Sequence, residues 1–177
     1  MSASPYSGRM GEQTTGHEVT EGERRAVAAL EASEIPFEVT RHGPVRSLAE
    51  AAAARGVDPS AIVKSLVVRR GDDDFLFVLV PGGRTIAWPK LRALLGVARL
   101  SMPDAGTARE VTGYERGTIT PFGSLRAWPV VVDAHVPGGT VSIGAGAHGV
   151  AATVHGDDLV RALDATLADV TEPEGDA

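Results

Sequence analysis

Three runs of apolar residues divide the chain and predict the central strands of a sheet. The first, 62–68, is β-branched and carries one lysine, Lys64; the second, 75–80, is apolar throughout; the third is 129–133. Short apolar runs bounded by turn residues are typical of strands with at least one buried face. The polar stretch 69–74 between the first two runs predicts a hairpin that is buried on both faces.

Polar residues ahead of apolar periodicity predict where the helices begin. Thr20 followed by Glu23, and Ser47 followed by Glu50, are capping boxes, in which the first side chain accepts a hydrogen bond from the first helical turn. Gly56 ends the second of these helices. Further helices are predicted at 90–95, at 103–111 and from 156 onward, the last with Leu159, Leu163 and Leu167 toward the core, and short strands are predicted at 35–40, 84–87, 97–101, 140–143 and 150–154.

The intermixed order of helices and strands predicts the fold class. We expect an α/β (mixed α+β) fold with a curled, barrel-like mixed sheet surrounded by helices. The length of 177 residues suits one domain, predicted at 19–170. Residues 1–18 are rich in Ser, Gly and Thr and predict a disordered N-terminal tail, and 171–177 predict an acidic disordered tail.

Composition and charge exclude several kinds of function. The absence of cysteine excludes disulfides, a thiolate nucleophile and a cysteine-ligated metal. Neither a membrane-length apolar run nor a signal-peptide core is present, so we expect a cytoplasmic protein without membrane contact. The net charge of −6 does not indicate a nucleic-acid binder, so RNA would need a local basic patch. Candidates for such a patch are Arg69, Arg70, Arg84, Lys90, Arg92 and Arg99, although solvated surface is the default interpretation of each one alone.

The glycine cluster 144–149 matches the dinucleotide pattern G-x-G-x-x-G, but its position contradicts that function. The fingerprint follows the first strand of a βαβ unit and opens a helix, whereas 150–154 predicts a strand and too little chain follows. We therefore predict a strand–turn–strand with exposed backbone amides at the glycines. The five histidines lack metal-ligand spacing, and neither a P-loop nor a nucleophile elbow occurs, so no metal site is predicted.

Two features could still carry chemistry. An unpaired buried ammonium is costly, so Lys64 either lies along the solvent side of its strand or is aimed into a pocket. The stretch 112–123 contains three glycines, Pro121 and two aromatic residues. It is either a packed surface loop or a preorganised cradle whose backbone N–H groups hold a carbonyl or carboxylate oxygen. The residues alone leave both questions open.

Four segments together resemble one family, the YbaK/EbsC and prolyl-tRNA-synthetase-associated editing domains. They look like the family's lysine strand, its following helix and strand, its G-x-x-x-P loop, and its closing strands with a glycine turn. The resemblance runs from about Val19 to Val170 in the family's order and spacing. In this chain the segments are 61–68, 91–100, 112–123, and 131–133 with 142–146.

The resemblance implies a YbaK-like domain that hydrolyses mischarged aminoacyl-tRNA in trans, commonly tRNA for proline carrying alanine, cysteine or a similar small residue. It implies that Lys64 is the essential lysine, holding the terminal adenosine's phosphate or ribose or the substrate carbonyl, and that Gly117 belongs to the catalytic cradle. It implies no metal, no cofactor and no protein nucleophile, the attacking group being a positioned water or a group of the substrate. The implied substrate-binding residues are Thr118, Ile119, Thr120, Pro121, Gly144, Gly146, Arg41 and His42.

Two departures from the family pattern bear on the substrate. Arg41 and His42 stand where members often have an aromatic residue, and Thr118 replaces a common glycine. All three lie near the expected aminoacyl pocket, so the identity of the amino acid stays open.

Two functions of different class therefore remain. The first is a trans-acting deacylase that acts on the acceptor end of aminoacyl-tRNA, with a synthetase as a further partner. An aminoacyl ester is already activated, so orientation and electrostatic stabilisation can suffice for its hydrolysis. The second is a non-catalytic module of the same fold that binds tRNA ends, a small ligand or a synthetase. Lys64 and Gly117 favour the first, although a binding module could retain both.

Overall fold

A computed structural model describes residues 18–136 and 138–175. The predicted N-terminal tail, apart from Glu18, and the last two residues of the predicted acidic tail lie outside the described residues. In chain order the elements are α1 (Glu21–Ala32), β1 (Glu38–Arg41), α2 (Leu48–Arg55), a 3-10 turn (Pro59–Ala61), β2 (Ile62–Gly71), β3 (Asp74–Pro81), β4 (Arg84–Ile86), α3 (Trp88–Leu95), α4 (Ala105–Thr112), β5 (Val130–Asp133), β6 (Thr140–Gly144), β7 (Val150–His155), α5 (Gly156–Ala162), β8 (Thr166–Ala168) and β9 (Thr171–Pro173).

Seven strands form one mixed sheet in the order β1-β7-β6-β2-β3-β5-β8. The β2–β3 hairpin is antiparallel, as predicted, whereas β2 pairs with β6, and β3 with β5, in parallel. The mixed α/β fold is therefore confirmed. The sheet is open and not closed into a barrel, because its edge strands β1 and β8 each pair with a single neighbour.

The hairpin is buried on both faces, which places it at the centre of the molecule. Val67 and Phe77 belong to one apolar cluster and Val68 and Val78 to another, on the opposite side of the sheet, and all four are at most 3% exposed. Alternating residues of a strand point to opposite faces, so a run without polar interruptions supplies two core layers at once.

The predicted helix caps are present. The Thr20 hydroxyl accepts from the Glu23 N–H, and the Ser47 hydroxyl accepts from the Glu50 N–H, each at 3.1 Å. Gly56 ends α2 at φ 69°, a left-handed conformation that glycine adopts without steric cost. Among the described residues, no helix has both the length and the apolar character needed to cross a bilayer.

The prediction of a last helix reaching Leu167 is wrong. The helix α5 stops at Ala162, and Leu167 lies in β8 opposite Val132 of β5, with 57% of its surface exposed. Asp164 follows the helix at φ 48°, which turns the chain away. Residues 166–168 therefore pair with the edge of β5 instead of extending the helix that the leucine spacing predicted.

Two further expectations differ from the structure. The stretch 97–101 forms no strand beyond a single bridge between Arg69 and Ser101. Part of the predicted disordered tail, 171–173, forms β9, which pairs antiparallel with β4. The physical reason is that Val170 and Thr171 are fully buried, so this end of the chain is held by the core despite its acidic residues.

Candidate active site

A gap in the sheet beside β2 defines the candidate site. The parallel pairing of β2 with β6 involves only Ile62 and Val63, because β6 ends at Gly144. Further along β2, Arg69 and Ser101 exchange two backbone hydrogen bonds of 2.7 and 3.1 Å. Between these two points, the edge of β2 that faces away from β3 has no neighbouring strand among residues 18–136 and 138–175.

The backbone along this gap offers hydrogen-bonding groups to a ligand. The backbone N–H and C=O groups of Val63 and of Arg69 point to the side of β2 where the gap lies. Because these groups alternate in direction along a strand, those of Ser65 and Val67 point to the same side. The Ser65 hydroxyl is also buried without a hydrogen-bond partner among the described residues. A buried unpaired polar group costs about 1–3 kcal/mol, which a ligand that bonds to it would recover.

A cavity of about 490 Å³ occupies the gap. Its wall brings together four residues that the sequence analysis named: Lys64, Gly117, Ile119 and Gly144. Residues distant in the chain thus converge on one space, beside the unpaired edge of β2. The wall also contains residues that sequence reasoning did not single out, namely Arg55, Ser65, Met102, Asp104 and Arg116.

Lys64 is neither buried without a partner nor free in solvent. Its ammonium donates to the Arg84 carbonyl at 3.0 Å and lies 3.4 Å from a Glu174 carboxylate oxygen, with 36% of the side chain exposed. An exposed ion pair of this kind contributes only about 0–1 kcal/mol. Neither Arg84 nor Glu174 lines the cavity, so the ammonium is held beside it and would have to leave Glu174 to meet an anion there.

The glycine-rich loop between α4 and β5 is held by a hydrogen bond within the loop and by further hydrogen bonds from α1. The Tyr114 hydroxyl donates to the Phe122 carbonyl at 2.6 Å, and both residues are buried. Arg25 donates to the carbonyls of Gly123 and Gly113 at 3.1 and 2.9 Å. The interpretation as a packed loop is therefore confirmed. Gly117 lines the cavity, and the role of the loop as a cradle for a ligand oxygen stays a prediction.

The second glycine turn holds this loop against β6. The Gly146 N–H donates to the Thr118 carbonyl at 3.1 Å. A Cβ at Gly144 would lie 3.3 Å from the Ile119 carbonyl oxygen, so the absent side chain permits the close approach. Strands β6 and β7 flank the turn as an antiparallel pair, which confirms the strand–turn–strand prediction. The prediction of an exposed backbone amide is wrong for Gly146, because this residue is buried and its N–H is bonded to Thr118.

The other predicted residues do not line the cavity. Thr118 and Thr120 are buried, with their hydroxyls bonded inside the loop, and Pro121 follows them without lining the cavity. Arg41 pairs with the buried Glu23 at 3.0 Å. His42 is one step removed from the cavity, because its Nε2 lies 3.3 Å from the Arg55 Nε.

Arg55 is the main cavity residue that sequence reasoning missed. Its guanidinium donates to the Ser142 hydroxyl at 3.4 Å and to His42, and has no carboxylate partner among the described residues. Burial lowers the pKa of Arg55 because it penalises the charged form. One signal was available: Arg55 directly precedes Gly56, at the turn that leads to the lysine strand.

A cluster of possible metal ligands lies outside the cavity. The ligand atoms of Asp133, His135 and Asp169 are within 4.8 Å of one another. They already have partners: Asp133 accepts from His135 and from the Val170 N–H, and Asp169 pairs with Lys90. These bonds explain why the three side chains converge.

Replacing Tyr114 with phenylalanine is expected to destabilise the loop. The Phe122 carbonyl would remain buried without its donor, so the free energy of unfolding should fall by about 1–3 kcal/mol.

The effect of this replacement should depend on pH, because burial raises the pKa of Tyr114 from 10.0 to about 12. The unfolded chain therefore loses this proton first, and the stability due to Tyr114 is complete below pH 10 and declines as the pH rises toward 12. Denaturant unfolding at pH 8 and 11 should show a smaller native–variant difference at pH 11; an equal difference would contradict the assignment.

Comparison with known proteins defines the class of this fold and site. A family model described as the aminoacyl-tRNA editing domain matches residues 42–162, which is more than half of the chain. The chain therefore belongs to the aminoacyl-tRNA editing domain family, and the resemblance noted from the sequence is confirmed.

Two curated proteins and one solved structure are also similar to this chain. The proline–tRNA ligase of Thermosipho melanesiensis is 40% identical over 83 residues, 46% of this chain and 14% of the ligase. That of Desulfovibrio desulfuricans is 36% identical over 115 residues, 65% of this chain and 19% of the ligase. The chain thus spans less than a fifth of these curated relatives. A crystal structure of a candidate trans-editing enzyme for prolyl-tRNA synthetase superposes with a TM-score of 0.80 at 27% identity, covering 89% of this chain and 100% of that protein.

Proposed function

We propose that this protein hydrolyses the ester of mischarged aminoacyl-tRNA in trans, the substrate being tRNA for proline that carries alanine, cysteine or a similar small amino acid. The observation that carries the proposal is the convergence of Lys64, Gly117 and Gly144 on one cavity beside an unpaired strand edge. Family membership and the similarity to ligases specific for proline support the choice of tRNA.

The reaction needs donors where negative charge develops. Water adds to the ester carbonyl carbon, the acyl–oxygen bond breaks, and a proton passes to the ribose oxygen that leaves. The carbonyl oxygen becomes negative in the transition state, and preorganised backbone N–H groups stabilise such charge. The loop at Gly117 and the gap-side N–H of Ser65 are the available donors, and the loop's internal bonds keep it rigid.

Lys64 has a positioning and charge-stabilising role in this proposal. Its ammonium would exchange the Glu174 carboxylate for the phosphate or ribose of the terminal adenosine, or for the substrate carbonyl. Arg55, which has no carboxylate partner in the described part of the chain, adds a further cation to the cavity lining. The apolar side chains of Val67, Ala108 and Ile119 leave room for a small acyl group. At about 490 Å³ the cavity is within the usual range for small-molecule sites, about 300–1,000 Å³.

Incubation with a panel of charged tRNAs tests the proposal. We expect alanyl- and cysteinyl-tRNA for proline to lose their amino acid well above the spontaneous rate, while correctly charged prolyl-tRNA is spared. Ester loss is followed by release of radiolabelled amino acid. Binding of these tRNAs without any turnover would instead identify the non-catalytic module.

A further inference from the structure

A second groove, of about 550 Å³, lies further along β2. It begins beyond the Arg69–Ser101 bridge, and we call it the arginine groove. The two depressions share the same two segments, since the cavity is lined up to Val67 and from Met102, and the groove from Arg69 and up to Ser101. The groove residues are Arg69, Arg70, Gly71, Asp72, Arg92, Ala98, Arg99, Leu100 and Ser101.

The arginine groove concentrates positive charge on an acidic protein. Four arginines and one aspartate line it, although the whole chain has a net charge of −6. A lining of one sign attracts ligands of the opposite sign despite the unfavourable total charge. This placement favours the patch interpretation for four of the six basic residues considered from the sequence.

Two of these arginines have free hydrogen-bonding capacity. Arg69 pairs with Asp72 at 3.1 Å, and Arg70 makes a two-fold contact with Asp74. Arg92 and Arg99 have no carboxylate partner among the described residues. A guanidinium presents planar N–H groups that match a phosphate, and both are open here.

The distance between the two depressions suits a continuous ligand. Lys64 and Arg69 are five positions apart on β2, about 16 Å at ~3.3 Å per residue. Stacked nucleotides rise by about 3.4 Å each, so a chain of about five would reach from the cavity into the groove.

We propose that the arginine groove binds the sugar–phosphate backbone of the RNA whose 3′ end enters the cavity, with Arg92 and Arg99 as the phosphate contacts. The proposal rests on the proposed function, because it requires that the cavity accept the aminoacyl end. Phosphate contacts position a nucleic acid without reading its sequence. The groove would therefore supply affinity for tRNA while the cavity selects the acyl group.

The test compares two substrates that differ only in their upstream phosphates. Full-length alanyl-tRNA and 3′-alanyl-adenosine carry the same ester. For Arg92→Ala/Arg99→Ala we expect KM for the tRNA to rise about tenfold, kcat to stay unchanged, and the slope of log(kcat/KM) against log[salt] to flatten by about 1–2. Hydrolysis of alanyl-adenosine should not change.

Two sets of variants separate groove binding from loss of charge or fold. Arg24→Ala/Arg161→Ala removes the same charge from α1 and α5, which do not line the groove, and should leave KM unaltered. Arg92→Lys/Arg99→Lys keeps the charge without the planar fork and should restore part of the affinity.

Several results would overturn the proposal. An unchanged KM and salt slope for tRNA would show that the groove does not hold the backbone. An equal loss on alanyl-adenosine would place the arginines in the cavity's own chemistry. Weakened binding of prolyl-tRNA synthetase with normal tRNA kinetics would make the groove a protein interface. If native protein cleaves neither substrate, the proposed function fails, and filter binding of uncharged tRNA to the same variants still decides the groove.

Discussion

Lys64→Ala is expected to remove nearly all deacylase activity while leaving the fold intact. Loss of one preorganised charge-stabilising group typically lowers the rate by about 10²–10³-fold. The effect on stability should be under about 1 kcal/mol, because the side chain makes only an exposed ion pair and one bond to a carbonyl. Single-turnover hydrolysis of alanyl-tRNA measures the first effect and denaturant unfolding the second.

Lys90→Ala is the matched control for this experiment. Lys90 also forms a partly exposed ion pair, with Asp169, but it does not line the cavity. Its removal should therefore leave the hydrolysis rate near the native value. Full activity of Lys64→Ala on a tRNA that the native protein cleaves would show that the proposed role of Lys64 is wrong.

Gly146→Ala is expected to destabilise the protein by more than about 3 kcal/mol, a size reserved for changes with a specific structural cause. Gly146 has φ 85°, and a Cβ there would press into the carbonyl of Gly22 in the first turn of α1. A Cβ on Gly22 would likewise press into the Gly146 carbonyl, so the two backbone segments are already in close contact and neither can easily move away. The Gly146–Thr118 bond would also be disturbed, and activity should fall with it.

Gly96→Ala separates the two contributions to this effect. Gly96 ends α3 at φ 67° but has nothing within 4 Å of its added Cβ. It should therefore show only the cost of a left-handed conformation, about 1–2 kcal/mol. Equal losses in the two variants, measured by denaturant unfolding, would mean that the contact with Gly22 has no energetic weight.

Local signals in the sequence were sufficient for much of the fold. The caps at Thr20 and Ser47 and the hairpin around 69–74 each depend on residues within a few positions of one another, so composition and spacing reveal them. The end of α5 depended on something distant, the free edge of β5, which the leucine spacing could not reveal.

The same distinction applies to the candidate site. Lys64 and the glycine-rich segments that contain Gly117 and Gly144 were noted from the residues themselves, the resemblance gave them roles, and all three line one cavity. Arg55 and the unpaired edge of β2 were not foreseen, because they result from where β6 stops and from how α2 packs. Such features depend on tertiary geometry, to which no local pattern corresponds.

The order of the strands also determines when the protein becomes competent during its synthesis. The hairpin joins β2 to β3, neighbours in the chain, whereas β1 pairs with β7, with Glu38 opposite Thr153. A nascent chain emerges N-terminus first, at about 5–20 residues per second, and distant pairings form late. The cavity needs Gly144 as well as Lys64. We therefore expect a ribosome-bound chain arrested before residue 140 to lack activity. A chain that has emerged beyond residue 173 should acquire it, because Leu159 and Val170 also belong to the core. The candidate site is thus completed by a segment that is synthesised long after Lys64.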